Sequence, residues 1–408
     1  MLEFLSVGAR RETPAESAAA GVAEVRDIRS QRSWVIRNDQ VELAVTERGA
    51  HMAPVTFYRQ EEKPIAPYYV SPSNGPDQPP GDHPEVMRGD FFCLPFGSNA
   101  TPYEGERHPS HGETARAKWS LASVETEGRR TTIFLAIEPK VRPGKVTRQL
   151  SLMDGENVVY DRTEICGYAG KTTLAHHAVL AMPAKDRALL VSASRFVLGM
   201  TCPYPFSDPA AGEYQSLEIG AEFRDLSRVP SIYKHAPDAD CSAFPTRCGY
   251  SDLLQLWADP RAKRPAWLAA VNTAENYLWF ALKDAHVLPS TIFWMENQGR
   301  HGSPWNGTTR CLGLEDGCMF FDKGIAESCW PNSISAEGLK TCHELAGDRP
   351  FVVTYIQGVV RIPEGFGHVR TAEFTPDGVK FRCATGGEVF ARVQHQFLYR
   401  GSLEPTAR

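Results

Sequence analysis

The chain has 408 residues, of which 42% are hydrophobic and 23% charged, a composition typical of a globular protein. Its net charge of -5, from 44 Lys and Arg against 49 Asp and Glu, argues against a general nucleic-acid binder, because neutralising phosphates requires a basic surplus. The sequence contains no run of about 18 apolar residues, so no membrane-spanning helix is expected.

The ten cysteines show no pattern of a metal site or of a disulfide framework. No two of them form a C-x-x-C motif, so a zinc site is not expected. The N-terminal apolar patch has no basic region before it and charged residues directly after it, which makes a poor signal peptide. We therefore expect a cytoplasmic protein without a metal ion, whose thiols stay reduced.

The predicted elements, in chain order, are almost all β-strands. Residues 1–30 are rich in Ala, Glu and Arg and are predicted to form a tail. Alternation and β-branched residues then predict two strands at 34–38 and 41–46, joined by a short turn. Similar signals predict further strands at 117–125, 131–138, 146–152, 157–166, 172–182, 188–193, 253–258, 266–272, 277–283, 290–297, 309–315, 350–360, 367–374, 378–384 and 388–397.

Long amphipathic helices are missing from this pattern, and Gly, Pro, Asp or Asn stands in most of the gaps between strands. The stretch 200–250 is rich in proline and lacks regular alternation. We predict an all-β protein with one large antiparallel β-sandwich domain over residues 31–400, which carries an irregular insertion around 200–250.

Polar residues cluster first at 89–99 and 108–119. A His111-Gly112-Glu113 turn precedes a predicted strand that begins near Trp119. Gly112 would let the backbone turn tightly and leave His111 and Glu113 at the mouth of a sheet. The alternative is a solvated polar loop, because a short motif of this kind occurs often without a function.

Two adjacent histidines interrupt the predicted strand at 172–182. Alternation places His176 on the face with the bulkier apolar residues, which suits the space between two sheets. His177 falls on the face with smaller residues, which leaves room for a ligand. We therefore predict His177 as the site residue and His176 as a buried, hydrogen-bonded histidine, and we do not interpret the pair as a metal clamp.

The densest cluster lies between residues 290 and 318. Tryptophan rings can stack on the apolar faces of a sugar, while carboxylates, amides and arginine can bond its hydroxyls. Glu315 interrupts an apolar strand, where burial would raise its pKa. The alternatives are core packing for the tryptophans and a structural salt bridge for Glu315. The cluster comprises Trp294, Glu296, Asn297, Arg300, Trp305, Asn306 and Glu315.

The order of these segments resembles the galactose mutarotase (aldose 1-epimerase) superfamily over roughly residues 33–398. The family's N-terminal pair of strands is matched by 38–55, its polar turn by 94–99, and its first histidine by His111-Gly112, with Trp119 a few residues on. The strand with the family's second histidine matches His177. The strand with its catalytic glutamate matches Glu315. The resemblance implies the β-sandwich of that superfamily.

Several positions depart from the family pattern and indicate a divergent member. Glu113 replaces a second Gly after the first histidine. The polar turn LPFGSN lacks the usual Arg, so Arg88 or Arg107 would have to substitute. The family's substrate-binding Asp has three candidates in the right interval, Asp252, Asp259 and Asp284.

The resemblance implies an aldose 1-epimerase-like isomerase, which interconverts the anomers of a free or phosphorylated sugar by acid–base ring opening and needs no cofactor. The implied partner is a small-molecule carbohydrate. Glu315 would be the base, His177 the acid and His111 a residue that holds the substrate. An acid histidine must be partly protonated near neutral pH, as its usual pKa of about 6.5 permits. The candidate substrate-binding residues are Asn99, Arg88, Glu113, Trp294, Glu296, Arg300 and Trp305.

Two other functions fit the same residues. A carbohydrate-binding protein could use this scaffold without catalysis, because a fold does not fix a function. A lyase or hydrolase of a sugar chain is the second alternative. A hydrolase needs two carboxylates about 5–10 Å apart, which Glu296 and Glu315 could supply.

Overall fold

The computed structural model describes residues 19–21, 23–71, 87–302 and 305–404. About 49% of the chain is strand and 5% is helix, which confirms the predicted all-β class. The first strands are β1 (Ala19–Gly21), β2 (Glu24–Ile28), β3 (Gln31–Arg37), β4 (Glu42–Thr46), β5 (Met52–Thr56), β6 (Phe92–Cys93), β7 (Ser120–Glu127), β8 (Arg130–Ile137), β9 (Lys145–Met153), β10 (Val158–Cys166), β11 (Gly170–Thr172), β12 (Leu174–Ala181), β13 (Leu189–Ala193) and β14 (Phe196–Thr201).

The second half of the chain continues in the same way. Its strands are β15 (Glu222–Phe223), β16 (Val229–Tyr233), β17 (Ala236–Ala239), β18 (Ala243–Phe244), β19 (Tyr250–Ala258), β20 (Ala266–Asn272), β21 (Tyr277–Lys283), β22 (Ser290–Asn297), β23 (Arg310–Cys318), β24 (His343–Leu345), β25 (Phe351–Arg361), β26 (Val369–Thr375), β27 (Gly378–Cys383) and β28 (Glu388–Arg392). The helices are short: α1 (Ile325–Cys329), α2 (Ser333–Ala336) and α3 (Phe397–Arg400).

Two large antiparallel sheets dominate the architecture. The ten-stranded sheet has the order β1-β7-β8-β9-β10-β25-β21-β20-β13-β18, and the seven-stranded sheet has the order β15-β14-β19-β22-β23-β12-β6. Smaller sheets are formed by β2-β3-β4-β5, by β26-β27-β28 and by the pairs β11-β24 and β16-β17.

The two large sheets pack face to face around the main hydrophobic core. Leu150 and Val159 of the ten-stranded sheet and Phe293, Leu312 and Leu314 of the seven-stranded sheet belong to this core and are at most 1% exposed. Full burial of one such side chain contributes about 1.5–3 kcal/mol. This arrangement is the predicted β-sandwich, and it arises because each strand turns alternate side chains toward the partner sheet.

The outer faces of both sheets are also covered. The sheet β26-β27-β28 and helix α3 pack on the ten-stranded sheet through residues such as Phe381 and Phe397. The outer face of the seven-stranded sheet carries a separate apolar cluster that includes Phe96, Trp257, Ile292 and Trp294. The loops that cover this second face bring polar residues toward β12 and β23.

Part of the stretch predicted as a tail, residues 1–30, forms strands. Residues 19–21 form β1, and residues 24–28 form β2, which pairs with β3 through a turn at Arg29 and Ser30, both with positive φ. The side chains of β2 are exposed or half-buried, so the strand carries little of the apolar alternation that identifies a strand. Residues 1–18 lie outside the described part of the chain.

The stretch 200–250 contains only short strands. β15 lies at one edge of the seven-stranded sheet, and β18 lies at one edge of the ten-stranded sheet. β16 and β17 form a separate hairpin. In the described part of the chain, no helix has the length and apolarity that a membrane crossing requires. The ten cysteines are free thiols.

Candidate active site

His177 and Glu315 are direct cross-strand neighbours. Strands β12 and β23 pair in antiparallel register, with His177 opposite Glu315 and His176 opposite Asp316. Opposed residues of a ladder point to the same face of a sheet. His177 and Glu315 therefore share the outer face, where Nε2 of His177 lies 3.4 Å from Oε1 of Glu315. The structure places His177 and His176 on opposite faces of the sheet, as alternation predicts.

The His111-Gly112 turn brings a second histidine to this pair. The N–H of His111 donates to the carbonyl of Gly97 at 2.7 Å, and Gly112 adopts φ 76°. A Cβ at Gly112 would lie 1.9 Å from the carbonyl oxygen of Leu94, so only glycine fits this close approach. The imidazole rings of His111 and His177 consequently lie 4.9 Å apart, edge to face.

The His177 ring is held by an aromatic stack. Phe91 stacks on His177 at 4.4 Å on one side and on His51 at 4.0 Å on the other. The N–H of His177 donates to the carbonyl of Phe91 at 2.9 Å, which fixes the strand against the segment before β6. The ring therefore faces Glu315 from a fixed position.

A small cavity of about 70 Å³ opens beside the pair. It brings together six residues that the sequence singled out: His111, His177, Trp294, Arg300, Trp305 and Glu315. Trp294 and Trp305 meet edge to face at 5.3 Å. The guanidinium of Arg300 lies over the Phe206 ring, 4.6 Å from its centre. The cavity thus combines aromatic walls with two histidines, an arginine and a carboxyl group.

Four predicted substrate-binding residues lie outside this cavity, because their polar atoms bond backbone groups elsewhere. Arg88 is buried and donates from Nη1 to the carbonyl of Ile28 at 2.8 Å, which fastens the turn between β2 and β3. Glu113 accepts hydrogen bonds from the backbone N–H groups of Lys140 and Val141 at 2.8 and 2.9 Å. Arg88 and Glu113 therefore do not line the cavity, and the prediction that they contact the substrate is corrected.

Asn99 and Glu296 hold turns in the same way. The Asn99 side chain donates to the carbonyl of Pro109 at 3.1 Å and accepts from the N–H of Ile325 at 3.0 Å. Glu296 shares a face of β22 with Trp294, but it is fully buried, and its Oε1 accepts the N–H groups of Gly299 and Arg300 at 2.8 and 3.0 Å. Glu296 therefore does not line the cavity beside Glu315.

None of the three candidate aspartates lines the cavity either. Asp252 accepts two hydrogen bonds from Ser216 and lines a separate cavity of about 420 Å³ beside the hairpin β16-β17. Asp259 pairs with Arg261, and Asp284 accepts the N–H of His286. The larger cavity contains no histidine and lacks the His177–Glu315 pair, so it is not the candidate active site.

One carboxylate that lines the cavity, Asp322, was not predicted from the sequence. Asp322 lines it, together with the apolar residues Met87, Phe96, Phe206 and Leu253. Asp322 follows the apolar run after β23, where the chain has left the sheet, so alternation gives no signal for its direction. The Tyr204 hydroxyl donates a hydrogen bond to Asp322.

Burial shifts the pKa values of the central pair in opposite directions. The side chains of His177 and Glu315 are each 4% exposed. Burial lowers the pKa of His177 to about 3 and raises the pKa of Glu315 well above its usual range, with Asp322 adding to the rise. Removal from water favours the neutral form of both groups. The expectation that His177 is partly protonated near neutral pH is therefore corrected.

A charged network lies directly behind the pair, between the two sheets. His176 stacks on Tyr355 at 4.3 Å and bonds Asp90 through Nδ1 at 3.0 Å. Asp316 accepts the Tyr355 hydroxyl at 2.8 Å and pairs with the ammonium group of Lys283. Since His176 and Asp316 adjoin His177 and Glu315 in sequence, the network anchors the same two peptide segments from the opposite face.

One group of possible metal ligands exists among the described residues: Asp90, Asp161 and His176. The Arg148 guanidinium bonds Asp90 at 2.8 Å and Asp161 at 2.6 Å. Arg148 bridges the two buried carboxylates and His176 bonds Asp90, so the group is an internal ion network.

Comparison with known proteins finds similarity in structure alone. No family model matches the chain, and no curated protein matches its sequence. A presumed aldose 1-epimerase from Klebsiella pneumoniae superposes with a TM-score of 0.55 at 13% identity, over 82% of this chain and 80% of that one. A presumed mutarotase from Salmonella typhimurium gives 0.54 at 12% identity, over 85% and 97% of the two chains.

A third solved structure agrees with these two. A galactose mutarotase-like protein from Clostridium acetobutylicum gives a TM-score of 0.54 at 9% identity, over 84% of this chain and 99% of that one. The chain has the galactose mutarotase-like fold. The identities of 9–13% make it a divergent member of that fold, as its departures from the sequence pattern indicate. Within this fold, the candidate site lies on the outer face of the seven-stranded sheet.

Proposed function

We propose that this protein is an aldose 1-epimerase-like isomerase that interconverts the anomers of a free or phosphorylated sugar. One observation carries the proposal: His177 and Glu315 meet at 3.4 Å, with His111 beside them, in a cavity with tryptophan walls. This arrangement provides an acid, a base and a surface on which a sugar ring can stack.

Anomer exchange requires two proton transfers at neighbouring oxygens. A base removes the proton of the anomeric hydroxyl while an acid protonates the ring oxygen, so the bond between the ring oxygen and C1 breaks and a carbonyl forms at C1. Rotation about C1–C2 exposes the other carbonyl face, and the reverse transfers close the ring. Each positioned acid or base typically contributes about 10²–10⁴-fold to the rate.

The pair holds the proton that this cycle needs. With His177 neutral and Glu315 protonated, Glu315 delivers a proton to the ring oxygen and His177 accepts one from the anomeric hydroxyl. Ring opening leaves a carboxylate and an imidazolium 3.4 Å apart, and their attraction offsets part of the cost of charging two buried groups. These roles are the reverse of those implied by the family resemblance, because burial favours the neutral form of each group.

The walls of the cavity provide the binding surface. At about 70 Å³ the cavity is smaller than a typical ligand site of about 300–1,000 Å³. Phe206, Arg300 and Trp305 line the cavity from connecting segments, so an outward rotation of these side chains would enlarge it for a sugar ring. Arg300 and His111 then bond sugar hydroxyls or a phosphate.

A hydrolase is the second candidate, and Asp322 is the observation that favours it. Asp322 and Glu315 line the same cavity and could act as two facing carboxylates. The isomerase is preferred because the partner at 3.4 Å from Glu315 is a histidine.

The proposal is tested by proton NMR exchange spectroscopy on a panel of free and phosphorylated aldoses. We expect exchange peaks between the two anomeric protons of at least one sugar, at a rate proportional to protein concentration. Release of a reducing end from oligosaccharides, lost in Asp322→Asn, would support the hydrolase instead. Sugar binding without exchange or cleavage would indicate a binding protein.

A further inference from the structure

Asp322 lines the cavity but takes no part in the proton transfers proposed above. It lies just after β23, where the chain crosses to the loop that precedes the His111 turn. The carbonyls of Asp322 and Lys323 accept the N–H groups of Ser98 and Asn99 at 2.6 and 3.0 Å. These backbone contacts fix the position of Asp322 at the edge of the cavity.

The two carboxylate oxygens of Asp322 have different surroundings. Oδ1 accepts a hydrogen bond from the Tyr204 hydroxyl, which in turn accepts the N–H of Asp322 at 3.3 Å. Oδ2 receives no hydrogen bond from any residue that the structure describes. Asp322 is half-buried and lines the same cavity as Glu315. Tyr204 therefore holds the carboxylate by one oxygen, and the second oxygen stays available as an acceptor.

No cation pairs directly with this carboxylate. Asp322 forms no ion pair within the described part of the chain. The ammonium group of Lys323 lies over the Tyr204 ring, 4.0 Å from its centre, and the guanidinium of Arg300 lies over Phe206. A carboxylate has only acceptor atoms, and its hydrogen bonds to a donor are charge-assisted. A sugar hydroxyl can supply that donor, whereas an anionic phosphate group is repelled.

We propose that Asp322 is a specificity-determining residue, whose Oδ2 accepts a hydrogen bond from one hydroxyl of the bound sugar. This hydroxyl is not the anomeric one, which His177 contacts in the proposed cycle, and it carries no phosphate. The inference rests on the proposed function only in taking the ligand to be a sugar. It does not require anomer exchange, because a sugar-binding protein would use the same contact.

Binding titrations of the full-length protein, followed by tryptophan fluorescence, test this contact, because Trp294 and Trp305 line the cavity. The probes are D-glucose, D-galactose, D-mannose and their monodeoxy analogues. Asp322→Asn keeps an oxygen for the Tyr204 hydroxyl but replaces Oδ2 by an amide donor. It should weaken binding of the accepted sugar about tenfold, because a charge-assisted hydrogen bond is lost. It should not weaken binding of the analogue that lacks the contacted hydroxyl.

Two further variants separate the contact from a structural effect. Tyr204→Phe removes the hydroxyl that holds Oδ1, so it should weaken binding of the same sugars a few-fold and spare the same analogue. Asp348→Asn, at an exposed position outside the cavity, is the matched control and should change no affinity. On the unsubstituted protein, a phosphate ester at the contacted position should weaken binding by about tenfold or more.

Each outcome decides for or against the contact. Equal losses in Asp322→Asn for every analogue would show that Asp322 acts only on structure, and unchanged affinity would overturn the contact. A phosphate ester at the contacted position that binds as tightly as the free sugar would also contradict it. If the expected pattern occurs without anomer exchange, the inference stands and the isomerase fails. If no sugar of the panel binds, both are overturned.

Discussion

The imidazole of His177 and the carboxyl group of Glu315 face each other across strands β12 and β23 at 3.4 Å. One residue along each strand, His176 and Asp316 point the opposite way, into the ion network between the sheets. The candidate acid–base pair and the buried network therefore share the same two backbone segments. The geometry of the site depends on how firmly the core holds them.

His177→Asn should lower the rate of anomer exchange by about 10²-fold or more, because asparagine keeps a polar side chain but cannot accept the hydroxyl proton. The double variant with Glu315→Gln should lower the exchange rate by far less than the product of the two single factors, since the pair acts as a unit. NMR exchange rates of the single and double variants measure this coupling. Multiplicative effects would show that the two residues act independently.

Trp305→Ala should raise KM about tenfold, equivalent to about 1.4 kcal/mol, and leave kcat within a few-fold, because stacking binds the ground state and the transition state alike. Steady-state kinetics on the accepted sugar measure the two constants. Trp330→Ala removes a tryptophan that is 49% exposed and does not line the cavity, so KM should not change. A kcat loss without a change in KM would assign Trp305 a different role.

Lys283→Met should destabilise the fold by about 3–5 kcal/mol, because it leaves the buried Asp316 carboxylate without its cation. Urea denaturation measures the free energy of unfolding. The double variant Lys283→Met with Asp316→Leu removes both charges but also the acceptor of the Tyr355 and Thr291 hydroxyls, so it should recover only part of the loss. A single-variant loss below about 1 kcal/mol would show that the ion pair is not needed to offset the burial of Asp316.

The free energy of unfolding of Glu156→Gln should exceed that of the unsubstituted protein by an amount that grows as pH rises. Burial raises the pKa of Glu156 from its usual 4.5 to about 7. A raised pKa means that the stability linked to this carboxyl group is fully present below pH 4.5 and is lost as pH rises through 7. The variant does not titrate, so its advantage should grow above pH 4.5 and level off above 7 at about 3 kcal/mol.

Denaturation curves at pH 4.5 and pH 8 compare the two proteins. Glu364→Gln, on an exposed loop, is the matched control and should show no such dependence on pH. An equal effect of Glu156→Gln at both pH values would show that the Glu156 carboxyl group does not titrate between them.

Alternation along single strands was enough to predict much of the site. The strands at 266–272, 277–283 and 290–297 coincide with β20, β21 and β22. The opposite orientations of His176 and His177 also follow from period-two alternation, which is a local property of the backbone. Strand β2 was missed because its exposed side chains carry no apolar pattern.

The residues placed wrongly are those whose partners lie far away in the sequence. Arg88 bonds a carbonyl 60 residues earlier, and Glu113 bonds an amide 27 residues later. No local pattern encodes such contacts. Asp322 was missed for the same reason, because its direction is set by segment 95–99 and by Tyr204.

The central claim is that Glu315 and His177 exchange protons with a sugar, and Glu315→Gln tests it most directly. Glutamine keeps the shape and hydrogen bonding of the side chain but can neither deliver nor accept the proton. On the sugar that the protein accepts, Glu315→Gln should lower the NMR anomer-exchange rate by about 10²-fold or more while binding stays largely intact. Glu296→Gln, on the neighbouring strand and outside the cavity, should change the rate little. Full exchange activity in Glu315→Gln would contradict the account.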